Sequence, residues 1–314
     1  MFTFVLRRAL QTVPVVLGVT LATFLLSQII PGDPTDVLLG PGASDEARER
    51  LRTALGLDRS MVVQYLYYLG NLAQGDFGQS FTFARPVIEV LADRMANTAL
   101  LAFAAIALAS AAGIAAGTWA AVRPGSLRDR GLTVGVLFLN SMPSFWLGLV
   151  LILIFGLHLR LLPVSGMSSG DGGPLNLMAH MLLPTVTLAA WSLAAIARMT
   201  RSSLLEVINS DYVRTARSRG VGEARIVLFH ALPNAMPAVI TVIGMQMGFL
   251  LSGAVLTETV FSWPGIGLAM YQAISTRDIP LIQGGILVLA LAFVAINFAV
   301  DVLYAYFNPK IKLA

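Results

Sequence analysis

Few side chains in this sequence are equipped for bond-making chemistry. There is no cysteine, which excludes disulfides, thiolate nucleophiles and zinc–thiolate sites. The three histidines, His158, His180 and His230, lack metal-ligand spacing and read as helix-end or packed polar residues. No His-Glu-x-x-His and no pair of carboxylates inside an apolar run occurs. A phosphate-cradling Gly-x-x-x-x-Gly-Lys-Ser/Thr loop is also missing, because the only lysines are Lys310 and Lys312, in the tail. The expectation is a chain that is not an enzyme, with no catalytic residue and no cofactor or metal of its own. Any ATP-driven work would need a motor supplied by another chain.

The elements around this inert set are apolar. Of 314 residues, 56% are hydrophobic and 12% charged, with mean hydropathy +0.77. Soluble domains carry about 25% charged residues, so the chain is read as a membrane protein. Its net charge of +4 comes from basic residues flanking apolar segments. That pattern speaks for membrane topology and not for nucleic-acid binding.

Six stretches contain no Asp, Glu, Lys or Arg: Ala9–Gly32, Met95–Val122, Gly131–Leu159, Gly172–Ala197, Ile226–Thr257 and Ile279–Val300. Each can hold the roughly 20 residues of a bilayer crossing, and hydrocarbon forces backbone pairing within the segment, hence helices. The expected architecture is all-α, one transmembrane domain over 1–314 with spans near 9–30, 98–122, 132–157, 178–200, 234–257 and 281–303. The first run is too long for a signal-peptide core and reads as a retained span. Pro14, Pro143, Pro184 and Pro237 are positioned to bend or delimit helices. Gly113 and Gly117, four apart, offer a close-packing face.

Charges in the short loops set the orientation. Arg7 and Arg8, then Arg123, Arg128 and Arg130, then Arg198, Arg201, Arg214, Arg217, Arg219 and Arg225, then Lys310 and Lys312 all fall on one side. The opposite short loops hold only Arg160 and Arg277. By the positive-inside rule both termini are cytoplasmic. The region 31–94 is then external. It holds a helix over Ser44–Leu55, capped by Ser44 and Gly56, and another over Val62–Leu72 with Tyr65, Tyr67 and Tyr68. This region is either a structural cap or a contact surface for an external partner.

The loop 201–233 is long for a connector and amphipathic. Leu204, Ile208, Tyr212 and Ala216 recur at helical spacing. Ser210 or Asp211 can cap a short helix that Gly220 closes in a left-handed conformation, with Arg217 and Arg219 at its C-terminal end, where cations are favoured. A second short helix, Glu223–Leu232, is expected to end before Pro233. Such a projecting helix can lie in a partner's groove or on anionic lipid.

Ala216, Gly220, Leu232 and Pro233 have the spacing of the cytoplasmic "EAA" loop of ABC-importer permeases. The form Asp211-Tyr-Val-Arg-Thr-Ala-Arg-Ser-Arg-Gly220 resembles the dipeptide, oligopeptide, nickel and glutathione permease branch. The usual acidic first position is Arg214 here, the second is Thr215, and His230 replaces an isoleucine. Pro31-Gly-Asp-Pro34, Leu55-Gly-Leu-Asp58, Gly75-Asp-Phe-Gly78, Phe261-Ser-Trp-Pro-Gly-Ile-Gly267, Arg277-Asp278 and Asp301-Val-Leu-Tyr304 resemble further segments of that branch, in order. The resemblance implies a type I importer permease in a bacterial or archaeal cytoplasmic membrane. Its implied partners are a second, homologous permease, two ATPase subunits that bind ATP and Mg, and an external substrate-binding protein. The coupling segment would be Asp211, Tyr212, Arg214, Thr215, Ala216, Arg217 and Gly220, with Leu232 and Pro233.

The alternative is a gradient-driven transporter whose loop lies on lipid. Such transporters place ionisable groups inside spans, and here only Asp301 and Glu258 approach that role. Candidate pathway residues are Asn140, Ser141 and Met142, which interrupt the third span, with Gln246 and Glu258. The cargo class implied by the resemblance is peptides.

Overall fold

A computed structural model describes residues 2–29, 35, 39, 42–54, 56–169 and 172–307. The motif Pro31–Pro34, Leu55, Lys310 and Lys312 lie outside the described residues. The chain divides into two compact units, one made of Met1–Ala96 with Ala269–Ala292, the other of Asn97–Leu268 with Phe293–Ala314. The elements in order are α1 (Phe2–Ile29), α2 (Asp45–Ala54), α3 (Met61–Ala73), a hairpin of β1 (Gln79–Ser80) and β2 (Arg85–Pro86), α4 (Val87–Ala121), α5 (Leu127–Ser141), α6 (Ser144–Leu151), α7 (Pro174–Ile208), α8 (Asp211–Ser218), α9 (Glu223–Arg225), α10 (Leu232–Gly253), α11 (Val255–Val260), α12 (Ile266–Thr276) and α13 (Ile279–Phe307).

Among the described residues, five helical stretches are long and apolar enough to cross a bilayer: Gln11–Ile29, Val87–Ala121, Pro174–Ile208, Glu223–Leu251 and Ile279–Val300. A sixth is the pair Leu127–Ser141 and Ser144–His158, bent by 100°. The stretch 132–157 is therefore not one straight helix. The cause is Pro143, whose ring pushes the preceding residue out of the helical region; Met142 sits at φ −86°, ψ 128°. Pro14, Pro184 and Pro237 stay inside continuous helices.

Some helices run past the charge-free stretches. α4 starts at Val87 and α7 runs to Ile208, beyond the expected spans. Charges bound the apolar part of a helix, not the helix itself. Arg85, for example, pairs with Glu89 and Asp93, each at 3.3 Å, across the first turns of α4.

In the first unit, Ser44 caps α2 by accepting the Ala47 N–H at 3.3 Å, and Gly56 follows its end at φ +68°. α3 lies against α1. Tyr65 and Tyr68 stack around Phe24, and the Tyr65 hydroxyl meets Thr20 Oγ1 at 3.0 Å. Two of the three tyrosines are thus used for packing. In Gly75-Asp-Phe-Gly78, both glycines have positive φ, and Asp76 accepts the Gly78 N–H at 2.8 Å. Asp278 is fully buried. It caps α13 through the Leu281 N–H and takes bonds from Ser80 Oγ at 2.6 Å and the Thr82 N–H at 2.9 Å. The hairpin after the first span and the loop before the last therefore share one face, as a six-span topology requires.

In the second unit, small residues let α4 and α7 meet. A Cβ on Gly117 would stand 2.5 Å from the Ala197 carbonyl, and one on Gly113 would stand 3.0 Å from Ile196. Val136, Ala194 and Ala197, with Ala116, Leu132 and Leu139 beside them, bring α5 onto the same seam. Gly135 on α5 has open space around it. We expect Gly117→Ala to destabilise the purified protein in detergent by about 1–3 kcal/mol, the usual cost of overpacking, seen as a lower Tm. Gly135→Ala should leave Tm near that of the unsubstituted protein. Equal effects at the two positions would contradict this packing.

Candidate functional site: the α8 loop and its supports

The 201–233 loop is built from the end of α7, the short α8 and the start of the helix leading into α10. α7 stops because Ser210 takes an extended conformation, ψ 156°. The repeat Leu204–Ile208–Tyr212–Ala216 is consequently split. Leu204 is buried in α7, whereas Tyr212 opens α8 and is 47% exposed. Val213 is the residue that turns inward, at 0%. The expected side-chain cap also differs: the Ser210 hydroxyl donates back to the Val207 carbonyl at 2.6 Å and closes α7 instead.

The C-terminal end of α8 is closed as expected. The Val221 N–H reaches the Ala216 carbonyl at 3.2 Å, and the Gly220 N–H reaches Arg217 at 2.9 Å. This pair of bonds is the Schellman arrangement, and it needs a left-handed residue four positions after Ala216. Gly220 supplies it at φ +80°. A Cβ there would meet no atom within 4 Å, so the glycine serves conformation and not space. Arg217 then bridges to Glu223 at 2.5 Å, pinning α8 to α9. That carboxylate raises the Arg217 pKa above its ordinary value, so its charge is fixed at all working pH. Thr215 Oγ1 donates to the Asp211 carbonyl at 3.0 Å, and Arg214 meets Asp211 at 3.5 Å.

The helix expected to end before Pro233 does not end there. Glu223 through Leu251 is one continuous path, because wide π-type turns over Ile226–Ala231 absorb the proline. A regular turn would set the Pro233 ring against the carbonyl four residues earlier. The His230 carbonyl in this widened segment accepts from Asn234 Nδ2 at 2.6 Å and from the Tyr212 hydroxyl at 3.4 Å. Beneath the loop, Ala121, Leu204, Val227, Ala231 and Ala235 form a buried apolar base, with Leu232 packed at its edge. Leu232 and Pro233 thus act as its anchorage to α10. Leu228 and Phe229, beside it, are 51% and 72% exposed.

The pathway candidates are placed differently from one another. Asn140, Ser141 and Met142 sit at the 100° elbow, where the Ser141 hydroxyl bonds its own helix at Leu137. Gln246 is buried in α10, beside exposed Met245. Glu258 is held inside the bundle by its own bonds. It is fully buried and accepts from Thr98 Oγ1 at 2.6 Å and from the N–H groups of Gly267 and Leu268 at 2.7 and 3.1 Å. A carboxylate is favoured at the N-terminus of a helix, here α12. Thr98 also accepts the Ile266 N–H at 2.8 Å.

The segment Phe261–Gly267 wraps this carboxylate. Trp263 is buried and donates to the Asn97 carbonyl at 3.1 Å, while Asn97 Nδ2 donates to the Pro264 carbonyl at 2.9 Å. A Cβ on Gly265 would stand 2.3 Å from Glu258, which explains the glycine.

The sequence reading missed one pair. Asp129 of α5 is 5% exposed and forms a two-pronged ion pair with Arg201 of α7. Arg201 Nε contacts Oδ1, and Nη2 donates to Oδ2 at 2.8 Å. The Gly125 N–H adds a third bond to Oδ2 at 2.9 Å. The signal was a lone acid among Arg123, Arg128 and Arg130. The pair shows that the 123–126 turn and the 201–233 loop lie on the same face.

A profile described as the binding-protein-dependent transport system inner membrane component matches residues 113–313, and its N-terminal companion matches 1–102. The chain belongs to this family of inner-membrane transport components. It is similar to the di/tripeptide transport system permease protein DppB of Pseudomonas aeruginosa, 44% identical, and to the dipeptide transport system permease protein DppB of Escherichia coli K12, 42% identical. Each match covers 99% of both chains. Among solved structures it is similar to inward-facing forms of the MetNI methionine ABC transporter, with TM-scores of 0.57 and 0.55 at 22% and 21% identity. These cover 70% of this chain and 96% and 97% of the others. The fold is thus that of an ABC-importer permease, and this inner-membrane component is all-α apart from its short hairpin.

Removing the buried carboxylate tests its structural role without any transport assay. Glu258→Ala removes the acceptor of the Thr98 hydroxyl and of two N–H groups. It should destabilise the purified protein by about 3 kcal/mol, with Glu258→Gln milder. A Tm for Glu258→Ala equal to that of the unsubstituted protein would contradict the assignment.

Proposed function

We propose that this permease is the transmembrane subunit of a peptide importer, energised by separate ATPase subunits that engage α8. The single observation that carries the cargo is the full-length 44% and 42% identity to di/tripeptide and dipeptide permease proteins. The engagement rests on α8 itself, closed at its end by the Val221–Ala216 and Gly220–Arg217 bonds and with Val213 buried on its inner side.

In this reading both termini and the 201–233 loop are cytoplasmic, and ATP and Mg are held by the ATPase partners. A second permease completes the pathway, and an external binding protein delivers the peptide. Tyr212, Arg214 and Thr215 stand on the exposed side of α8 and offer the docking face. Closure of the ATPases pushes α8, and Leu232 and Pro233 carry the movement into α10. Asn140, Ser141, Met142 and Gln246 are the proposed pathway contacts, at the elbow and in α10. Polar groups at such breaks are tolerated where they line a cavity or are packed in protein.

The test is ATP-driven, vanadate-sensitive uptake of a labelled dipeptide by the reconstituted complex. Gly220→Val, which places a β-branched residue at positive φ, should cut uptake by about tenfold or more with normal membrane insertion. Gly222→Ala, at an ordinary φ of −62° with open space around it, should transport normally. Full uptake by this chain alone in liposomes without nucleotide would overturn the proposal in favour of a gradient-driven transporter.

A further inference from the structure

The Asp129–Arg201 pair stands apart from everything the family resemblance assigned. It joins the start of α5 to the last turns of α7, and Asn209–Ser210 is all that separates α7 from α8. An ion pair placed only for surface balance would be exposed and single-pronged. This one has a carboxylate that is 7% exposed in its side chain, with both oxygens engaged by one guanidinium and one of them by a backbone N–H. Arginine's planar fork fixes direction as well as distance. The contact is therefore stiff against sliding and rotation of α5 on α7.

The surroundings give that stiffness a consequence. Immediately along the same seam, Gly117 brings α4 against Ala197, Thr200 and Arg201, and Val136 of α5 packs on Ala194 and Ala197. At its far end α5 reaches the elbow at Met142–Pro143, where the chain turns by 100° into α6. α5 is thus a lever with one end clamped to α7, a few turns ahead of α8, and the other at the elbow.

We propose that Asp129 and Arg201 form a latch that makes α5 follow α8, so that movement of α8 is delivered to the Asn140–Pro143 elbow as well as to α10. Both are positioning residues and neither touches cargo. The proposal rests on the importer reading above. Without the latch, α8 would still reach α10 through the Ala121–Leu204–Val227–Ala231 base, but α5 would lag. ATP would then be hydrolysed with little transport.

The measurement is the number of peptides imported per ATP hydrolysed by the complete reconstituted complex. The unsubstituted complex must show peptide import linked to ATP hydrolysis, and its failure to do so would sink the importer reading itself. Given that linkage, Asp129→Asn and Arg201→Gln should each lower the ratio by about tenfold, and the double variant should fall no further, because the two act as one contact. A normal ratio in either single variant, or a double variant in which the two losses multiply, would overturn the latch. Should these variants fail to assemble, the chain's lack of cysteine allows a second measurement with the pair intact. Spin labels at Leu127→Cys and Ser218→Cys should keep their separation between nucleotide-free and ATP–vanadate states. A change of about 5 Å, one helical turn, would show that α5 and α8 move independently and would overturn the proposal.

Discussion

Hydrocarbon offers no water to the backbone groups that helix ends leave unpaired, and among the described residues three buried carboxylates meet that constraint. Glu258 receives the first N–H groups of α12, Asp278 caps α13, and Asp129 takes the Gly125 N–H ahead of α5. Each also reaches a second element: Thr98 of α4, Ser80 of the hairpin, and Arg201 of α7. A charge in an apolar bundle is costly unless it is fully bonded, so each acid fixes its loop firmly. The apolar helices between them can pack through small residues and slide.

The α8 loop follows the same logic with weaker materials. It lies at the edge of the bundle, where solvent can serve its exposed groups, and it is held by a glycine-closed turn, one partly exposed ion pair and one inward valine. That combination gives a short, rigid projection on a firm apolar base. It suits an element that must be gripped from outside and must transmit force inward. The widened turns at Ile226–Ala231 continue the projection into α10 without a break at Pro233, so a push on the loop has a direct route into a spanning helix.

Much of this was legible in the sequence, for definite reasons. Charge-free stretches located the long apolar helices because the cost of charge in hydrocarbon is large. Gly56 and Gly220 located helix ends because a left-handed residue leaves few alternatives. The order of short motifs gave the family. Other features were not legible because they depend on tertiary partners. The chain breaks at Pro143 but continues through Pro184, Pro237 and Pro233, and nothing local to those prolines separates the cases. Tyr212 left the apolar stripe expected of Leu204, Ile208, Tyr212 and Ala216 because one extended residue, Ser210, rotated the helix that follows. Glu258 read as a pathway candidate because an acid near a span is rare, whereas its partners, Thr98 and the Gly267 N–H, are far away or in the backbone. Asp129 was hidden among arginines for the same reason, since its partner lies on another helix.

The central claim is that the exposed face of α8 meets protein and not lipid. A single spin label at Arg214→Cys in the membrane-embedded complex tests it, by its accessibility to dissolved oxygen and to a water-soluble relaxant. With the ATPase subunits bound, the account predicts low accessibility to both, and a rise in accessibility to the water-soluble relaxant when those subunits are removed. High oxygen accessibility that does not change with the ATPases present or absent would place α8 on the bilayer and contradict it.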